Sequence, residues 1–173
     1  IINVARYVPQ KNHETLLRSM KHIQEDYPEA SLILVGRGPK YEEIGQLINQ
    51  LNLEDTVIQT GYLPQRSQVF SVVANSDVFV APSWYEGFCI AAVEAMLAGT
   101  PVVASDISVL REVVGDVGLF ADPSDPSAFA DRIGSLFDST ELREDLGKKS
   151  AKRARSNFSL DKTANRYVSI YHD

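Results

Sequence analysis

Cysteine is almost absent from this 173-residue sequence: Cys89 is the only one, which excludes an internal disulfide framework. A lone thiol is ordinary in a reducing compartment, so we expect a cytoplasmic protein. Long apolar runs are also lacking, because none approaches the roughly 20 residues of a membrane-spanning helix. The sequence contains no D-x-D, no H-E-x-x-H and no pair of cysteines, so we expect no bound metal and no other cofactor.

An excess of positive charge is missing as well. Lys and Arg number 17 against 23 Asp and Glu, which gives a net charge of -6 at pH 7. Proteins that bind nucleic acid usually present a basic face, so no nucleic-acid partner is expected. Cations cluster over residues 141–155, and we interpret them as a solvated helix face, with a membrane or acidic partner as the alternative. The histidines, His13, His22 and His172, lack metal-ligand spacing and are expected at the surface.

The sequence does have short apolar runs that alternate with helical patterns. Near-continuous runs rich in β-branched residues, typical of strands covered on both faces, predict six strands over residues 2–6, 31–36, 57–60, 78–81, 101–104 and 118–120. Apolar residues at helical spacing predict helices over residues 13–25, 41–51, 66–74, 89–98, 109–114 and 126–137, the first capped by Asn12.

This alternation predicts an α/β fold, a Rossmann-like doubly wound parallel sheet of about six strands with helices on both faces. After residue 138 only helical patterns follow, over residues 141–155 and 160–171, so C-terminal helices are appended to the sheet. The sequence opens directly on a strand without an initiator Met, and we therefore expect a piece of a longer protein.

The helix predicted over residues 89–98 has one polar side chain, Glu94. A helix that is apolar on every face belongs in the interior, where a carboxylate is costly unless something pairs with it. Two interpretations are open. Glu94 could accept hydrogen bonds from the hydroxyl groups of a ligand, or it could form a buried ion pair with a cation such as Arg111.

Ligands of doubly wound sheets bind beyond the carboxyl ends of the strands. Arg6 and Lys11 follow the first strand and could converge on an anion or be exposed loop charges. Glu86 follows the fourth strand, in a turn that opens helix 89–98, whose unpaired N–H groups favour phosphate. Cys89 is interpreted as a small residue at the helix start, a position that can lower the pKa of a thiol. Turn chemistry explains Gly36-Arg37-Gly38 and Gly61-Tyr62-Leu63, after the second and third strands, as well as ligand contact does.

Assembled, these segments resemble the C-terminal domain of the retaining family 4 glycosyltransferases, which have the GT-B architecture. The resemblance covers essentially the whole chain. Two glutamates separated by seven residues, Glu86 and Glu94, are its most specific part. The other matching segments are the pair Arg6 and Lys11, Gly36-Arg37-Gly38-Pro39, and residues 77–83, 95–103 and 110–114.

The resemblance implies that residues 1–157 bind a nucleotide diphosphate sugar and that the helix in 158–173 packs on an N-terminal domain outside this sequence. That domain would hold the acceptor, a glycan, lipid or small molecule, and could bring the protein to the inner membrane face. The enzyme would move a hexose to the acceptor with retention and without metal, and this piece alone would be inactive. A non-catalytic sugar-nucleotide-binding module is the alternative.

By the same resemblance, Arg6 and Lys11 neutralise the diphosphate, Glu94 holds the ribose, and Glu86 contacts the donor sugar. The implied catalytic residues are Arg6, Lys11 and Glu86. The implied donor-binding residues are Gly36, Gly38, Gly61, Tyr62, Leu63, Glu86, Gly87, Phe88, Cys89, Ile90 and Glu94. The sequence departs from the family pattern where Cys89, Ala5 and Asn12 replace common glycines.

Overall fold

Six strands form the sheet of this computed structural model, which describes residues 1–158. They are β1 (Ile2–Val4), β2 (Leu32–Val35), β3 (Val57–Gly61), β4 (Phe79–Ala81), β5 (Val102–Ser105) and β6 (Leu119–Ala121). All neighbours pair in parallel, in the order β3-β2-β1-β4-β5-β6. The six predicted strands are confirmed. The largest difference is at β1, which ends two residues before the predicted boundary.

Seven helices alternate with these strands or follow them. They are α1 (His13–Asp26), α2 (Tyr41–Gln50), α3 (Arg66–Ala74), α4 (Ile90–Ala98), α5 (Ser108–Val114), α6 (Pro126–Asp138) and α7 (Thr140–Asn157). As predicted, Asn12 caps α1, its side chain accepting a hydrogen bond from the Thr15 amide. The helix predicted over residues 160–171 lies outside the described residues. Among the helices of residues 1–158, none combines the length and the apolar character needed to cross a membrane.

Two apolar cores cover the two faces of the sheet. Residues of α1, α2 and α6, such as Leu16, Ile44 and Phe129, build one core. Residues of α3, α4 and α5, such as Val73, Met96 and Leu110, build the other. Because each strand is covered on both sides, the near-continuous apolar runs of the sequence are explained, and the doubly wound Rossmann-like fold is confirmed.

The order of the strands reverses direction beside β1. The chain first adds β2 and β3 on one side of β1 and then crosses to place β4 on the other side. The buried Asn3 amide joins β1 to β4 through a 2.8 Å hydrogen bond from Nδ2 to the Val80 carbonyl oxygen. Ligands of such sheets bind at this reversal, so the loops that follow β1 and β4 define the place to examine.

Candidate functional site

Lys11 and Glu86 meet between the loops that follow β1 and β4. Lys11 ends a short 3-10 turn (Pro9–Lys11), and its Nζ lies 2.6 Å from Oε1 of Glu86. The Ser83 hydroxyl donates to the same oxygen at 2.8 Å. The side chains of Lys11 and Glu86 are only 18% and 5% exposed. The acid is therefore oriented by a cation and a hydroxyl, both on one of its two oxygens.

Two adjoining cavities open at this edge of the sheet. A cavity of about 380 Å³ lies over the ends of β1, β2 and β3 and is lined by Arg6, Gly36, Tyr62 and Leu63, among others. A cavity of about 60 Å³ lies between the loops after β1 and β4; its lining includes Asn3, Lys11, Ser83, Glu86, Cys89 and Ile90. Val4 and Ala5 line both cavities. The structure thus brings most of the predicted residues to one crevice.

Glu94 lies in different surroundings from those predicted. Helix α4 is not buried on every face, because Ile90 is exposed and the Glu94 side chain is 25% exposed. Its partner is Arg66, at the start of α3, which donates from Nε at 2.9 Å and from Nη2 at closer range. Arg111, the partner considered from sequence, instead pairs with Asp106, at 2.7 Å from Nη2 to Oδ2. The expectation of a carboxylate in wholly apolar surroundings is wrong.

The start of α4 is conformationally unusual. Cys89 precedes the helix with φ 67° and ψ 67°, in the left-handed region that costs an L-residue roughly 1–2 kcal/mol. Burial, together with the charge of Glu86, raises the pKa of the Cys89 thiol to about 12. The interpretation that the helix start lowers this pKa is therefore wrong, because desolvation of the thiolate dominates.

The neighbours of Cys89 face outwards. Gly87 is exposed, and a Cβ there would meet no atom within 4 Å. Phe88 packs edge-on against Phe158, with ring centroids 5.4 Å apart. The amide end of α4 is accordingly open on the side of Gly87.

The predicted glycines after β2 and β3 serve the packing of the loops. A Cβ on Gly36, whose φ is 138°, would lie 2.0 Å from the carbonyl oxygen of Ala5. A Cβ on Gly38 would lie 2.4 Å from the carbonyl oxygen of Tyr7. Gly61 accepts a 2.9 Å hydrogen bond from the Gly36 amide. Glycine at 36 and 38 lets the loop after β2 press against the loop after β1, which supports the turn interpretation.

His13 was expected at the surface, and that expectation is wrong: the residue is only 3% exposed. Its ring stacks on Tyr7 with centroids 4.4 Å apart, and burial, followed by the charge of Lys11, lowers its pKa to about 4. Among the described residues, its Nε2 has no hydrogen-bond partner. The sequence did hold a signal, because His13 lies at helical spacing from Leu16 and Leu17 on the buried stripe of α1. His22 is exposed as expected, and His172 lies outside the described residues.

A protein family matches this chain along most of its length. The family described as "Glycosyl transferases group 1" matches residues 1–153. The chain belongs to this family. The resemblance drawn from the sequence, to the C-terminal domain of a GT-B glycosyltransferase, is thereby confirmed.

Individual relatives agree with the family. The chain is 27% identical over 175 residues to N-acetyl-alpha-D-glucosaminyl L-malate synthase of Bacillus anthracis, covering 100% of this chain and 45% of that protein. It is 33% identical over 165 residues to O-antigen chain mannosyltransferase B of Escherichia coli, covering 94% of this chain and 43% of that protein. The chain thus spans less than half the length of these relatives.

A solved structure of another group 1 fold shows the same architecture. TarM of S. aureus, determined in complex with Fondaparinux, alpha-GlcNAc-glycerol and UDP, superposes with a TM-score of 0.91 at 22% identity. The match covers 99% of this chain and 35% of TarM. At this identity the likeness establishes the fold alone.

Proposed function

We propose that this chain binds the nucleotide diphosphate sugar donor of a hexosyltransferase. The observation that carries the proposal is the Lys11–Glu86 pair, held at the point where the strand order reverses and beside the amide end of α4. Sugar transfer by the family relatives and the UDP in the TarM structure support the assignment.

The proposed diphosphate site combines three sources of positive charge. Lys11 has three N–H donors and spends one on Glu86, which leaves two for phosphate oxygens. Arg6 is exposed and lines the adjoining cavity. The N–H groups in the first turn of α4 add the positive end of the helix dipole. Because these groups stabilise the charge on the leaving diphosphate, we propose that transfer needs no metal and no other cofactor.

The remaining parts of the donor can be assigned to the two cavities. We propose that the larger cavity, with Tyr62 and Leu63 beside Gly61 and Gly36, takes the nucleoside. Glu86 and the backbone of residues 87–90 would then meet the donor sugar at the smaller cavity. Glu94, on the same face of α4 as Ile90, would accept hydrogen bonds from the ribose hydroxyls. Gly38 shapes the loop rather than touching the donor.

The finer features of the reaction are proposed from the resemblance. These are retention at the anomeric carbon, as in family 4, and an acceptor glycan, lipid or small molecule held by another part of the longer protein. The division into a nucleotide-sugar domain over 1–157 and a packing helix in 158–173 stays a prediction, as does a cytoplasmic location with contact at the inner membrane face.

A thermal-shift screen against uridine, guanosine and adenosine diphosphates and their hexose conjugates tests the proposal. A donor that binds only the folded state raises the melting temperature in proportion to RT ln(1 + [L]/Kd). We expect one nucleotide series to raise it, and the Lys11→Ala variant to lose the shift. Binding without transfer by the full-length protein would instead favour a non-catalytic sugar-nucleotide-binding module.

A further inference from the structure

The ion pair between Arg66 and Glu94 joins the two helices that border the crevice. Both guanidinium contacts, from Nε and from Nη2, go to the same oxygen, Oε1. Val69, one turn after Arg66 on α3, lines the larger cavity. Ile90 and Ala91, one turn before Glu94 on α4, line the smaller one. The pair therefore lies where the two cavities adjoin.

We propose that Arg66 is a positioning residue for the donor: it holds Glu94 by Oε1 and presents Oε2 to the vicinal hydroxyls of the ribose. This inference rests on the proposed role of Glu94. It adds a residue to the site that the sequence did not single out, because Arg66 lies 28 positions away from Glu94 in the chain.

The asymmetry of the exposures supports a positioning role. The Glu94 side chain is 25% exposed, whereas that of Arg66 is 82% exposed. A glutamate loses side-chain rotamer freedom when a ligand fixes it, and a partner that fixes it beforehand removes that cost from binding. Because Arg66 is well solvated, its contribution is that of a surface ion pair, and its loss should weaken binding about threefold to fivefold.

Two other roles for Arg66 predict different results. A guanidinium that contacted the diphosphate directly would contribute whether or not the ribose carried its hydroxyls. A guanidinium that covered Glu94 and had to be displaced would oppose binding, and its removal would tighten the complex. The ribose hydroxyls are therefore the discriminating part of the ligand.

The experiment is calorimetry on the full chain with the nucleoside diphosphate that binds best and with its 2′,3′-dideoxy analogue. The variants are Arg66→Ala, Arg66→Lys, Glu94→Ala and the double variant Arg66→Ala/Glu94→Ala. Arg18→Ala is the matched control, because Arg18 also contacts one oxygen of a glutamate, Oε1 of Glu14, through Nε and Nη2, away from the crevice.

We expect Arg66→Ala to weaken binding of the nucleoside diphosphate about threefold to fivefold and to leave binding of the dideoxy analogue unchanged. In the Glu94→Ala background it should have no further effect, and Arg66→Lys should lie between, because an ammonium lacks the planar fork. Equal weakening of both ligands, additivity with Glu94→Ala, or tighter binding would overturn the proposal. If Glu94→Ala weakens binding and Arg66→Ala does not, only this inference fails; if Glu94→Ala has no effect, the proposed ribose contact fails with it.

Discussion

Lys11 and Glu86, 75 positions apart in the chain, form an ion pair of 2.6 Å in the crevice between β1 and β4. The two residues follow adjacent strands at the reversal of the sheet, so the topology brings them together. Since both side chains are largely buried, each satisfies a charge that the other would otherwise leave unpaired.

The first prediction concerns the stability of this pair. Lys11→Met leaves the Glu86 carboxylate, 5% exposed, without its cation and should lower the free energy of unfolding by about 1–3 kcal/mol. The double variant Lys11→Met/Glu86→Gln should recover most of the loss, because no unpaired charge remains. Urea unfolding measures both changes.

The control for this pair is Lys148→Met, which breaks an exposed pair with Glu144 on α7 and should cost less than about 0.5 kcal/mol. Equal losses at Lys11 and Lys148 would show that burial adds nothing to the first pair.

The second prediction is a loss of stability in acid through His13. Its pKa is lowered from 6.5 to about 4 in the folded protein, so the unfolded chain takes up a proton first as the pH falls. Stability from this residue is present above pH 6.5 and is lost progressively towards pH 4, about 2–3 kcal/mol by pH 4.5. Unfolding in urea at pH 7.0 and 4.5 gives the loss.

The variant His13→Phe keeps a ring against Tyr7 and should show an acid loss smaller by about that 2–3 kcal/mol. His22→Gln, at an exposed histidine, should lose stability in acid as the unaltered protein does. A parallel pH dependence in the unaltered protein and His13→Phe would contradict the buried, neutral imidazole.

Much of this structure follows from the sequence, for identifiable reasons. The strands were predictable because covering both faces of a strand requires a continuous apolar run, as at β4 and β5. Their ends were less so: β1 stops at Val4, and beyond it the Ala5 amide still bonds to Val35 of β2. The resemblance supplied the site residues, and the strand order explains why Lys11 and Glu86 meet.

The surroundings of single side chains were harder to predict. The partner of Glu94 comes from α3, and no local spacing connects Arg66 with it. The exposure of Ile90 depends on what packs on α4, which an apolar pattern alone does not reveal. Burial of His13 was readable from its place on the α1 stripe, where the helical spacing outweighs the polarity of the residue.

The third prediction concerns the reactivity of Cys89. With a thiol pKa raised to about 12, the thiolate is scarce at pH 8, and alkylation by iodoacetamide should be slow in the folded protein. Its rate should rise about tenfold per pH unit up to pH 10 without a plateau, and it should become fast after unfolding in urea. Mass spectrometry of the modified protein measures the rate. Prompt modification at pH 8, or a plateau below pH 9, would contradict the buried thiol beside Glu86.

The central claim is that the crevice at the reversal of the sheet binds the diphosphate of the donor through cations on the loop after β1. The most direct test is the affinity of Lys11→Ala for the nucleoside diphosphate identified by thermal shift, measured by isothermal titration calorimetry beside the unaltered protein and Lys148→Ala. Loss of one charge-assisted contact of about 1.5–3 kcal/mol predicts an affinity at least tenfold weaker. An affinity equal to that of the unaltered protein, with the fold intact, would contradict the account.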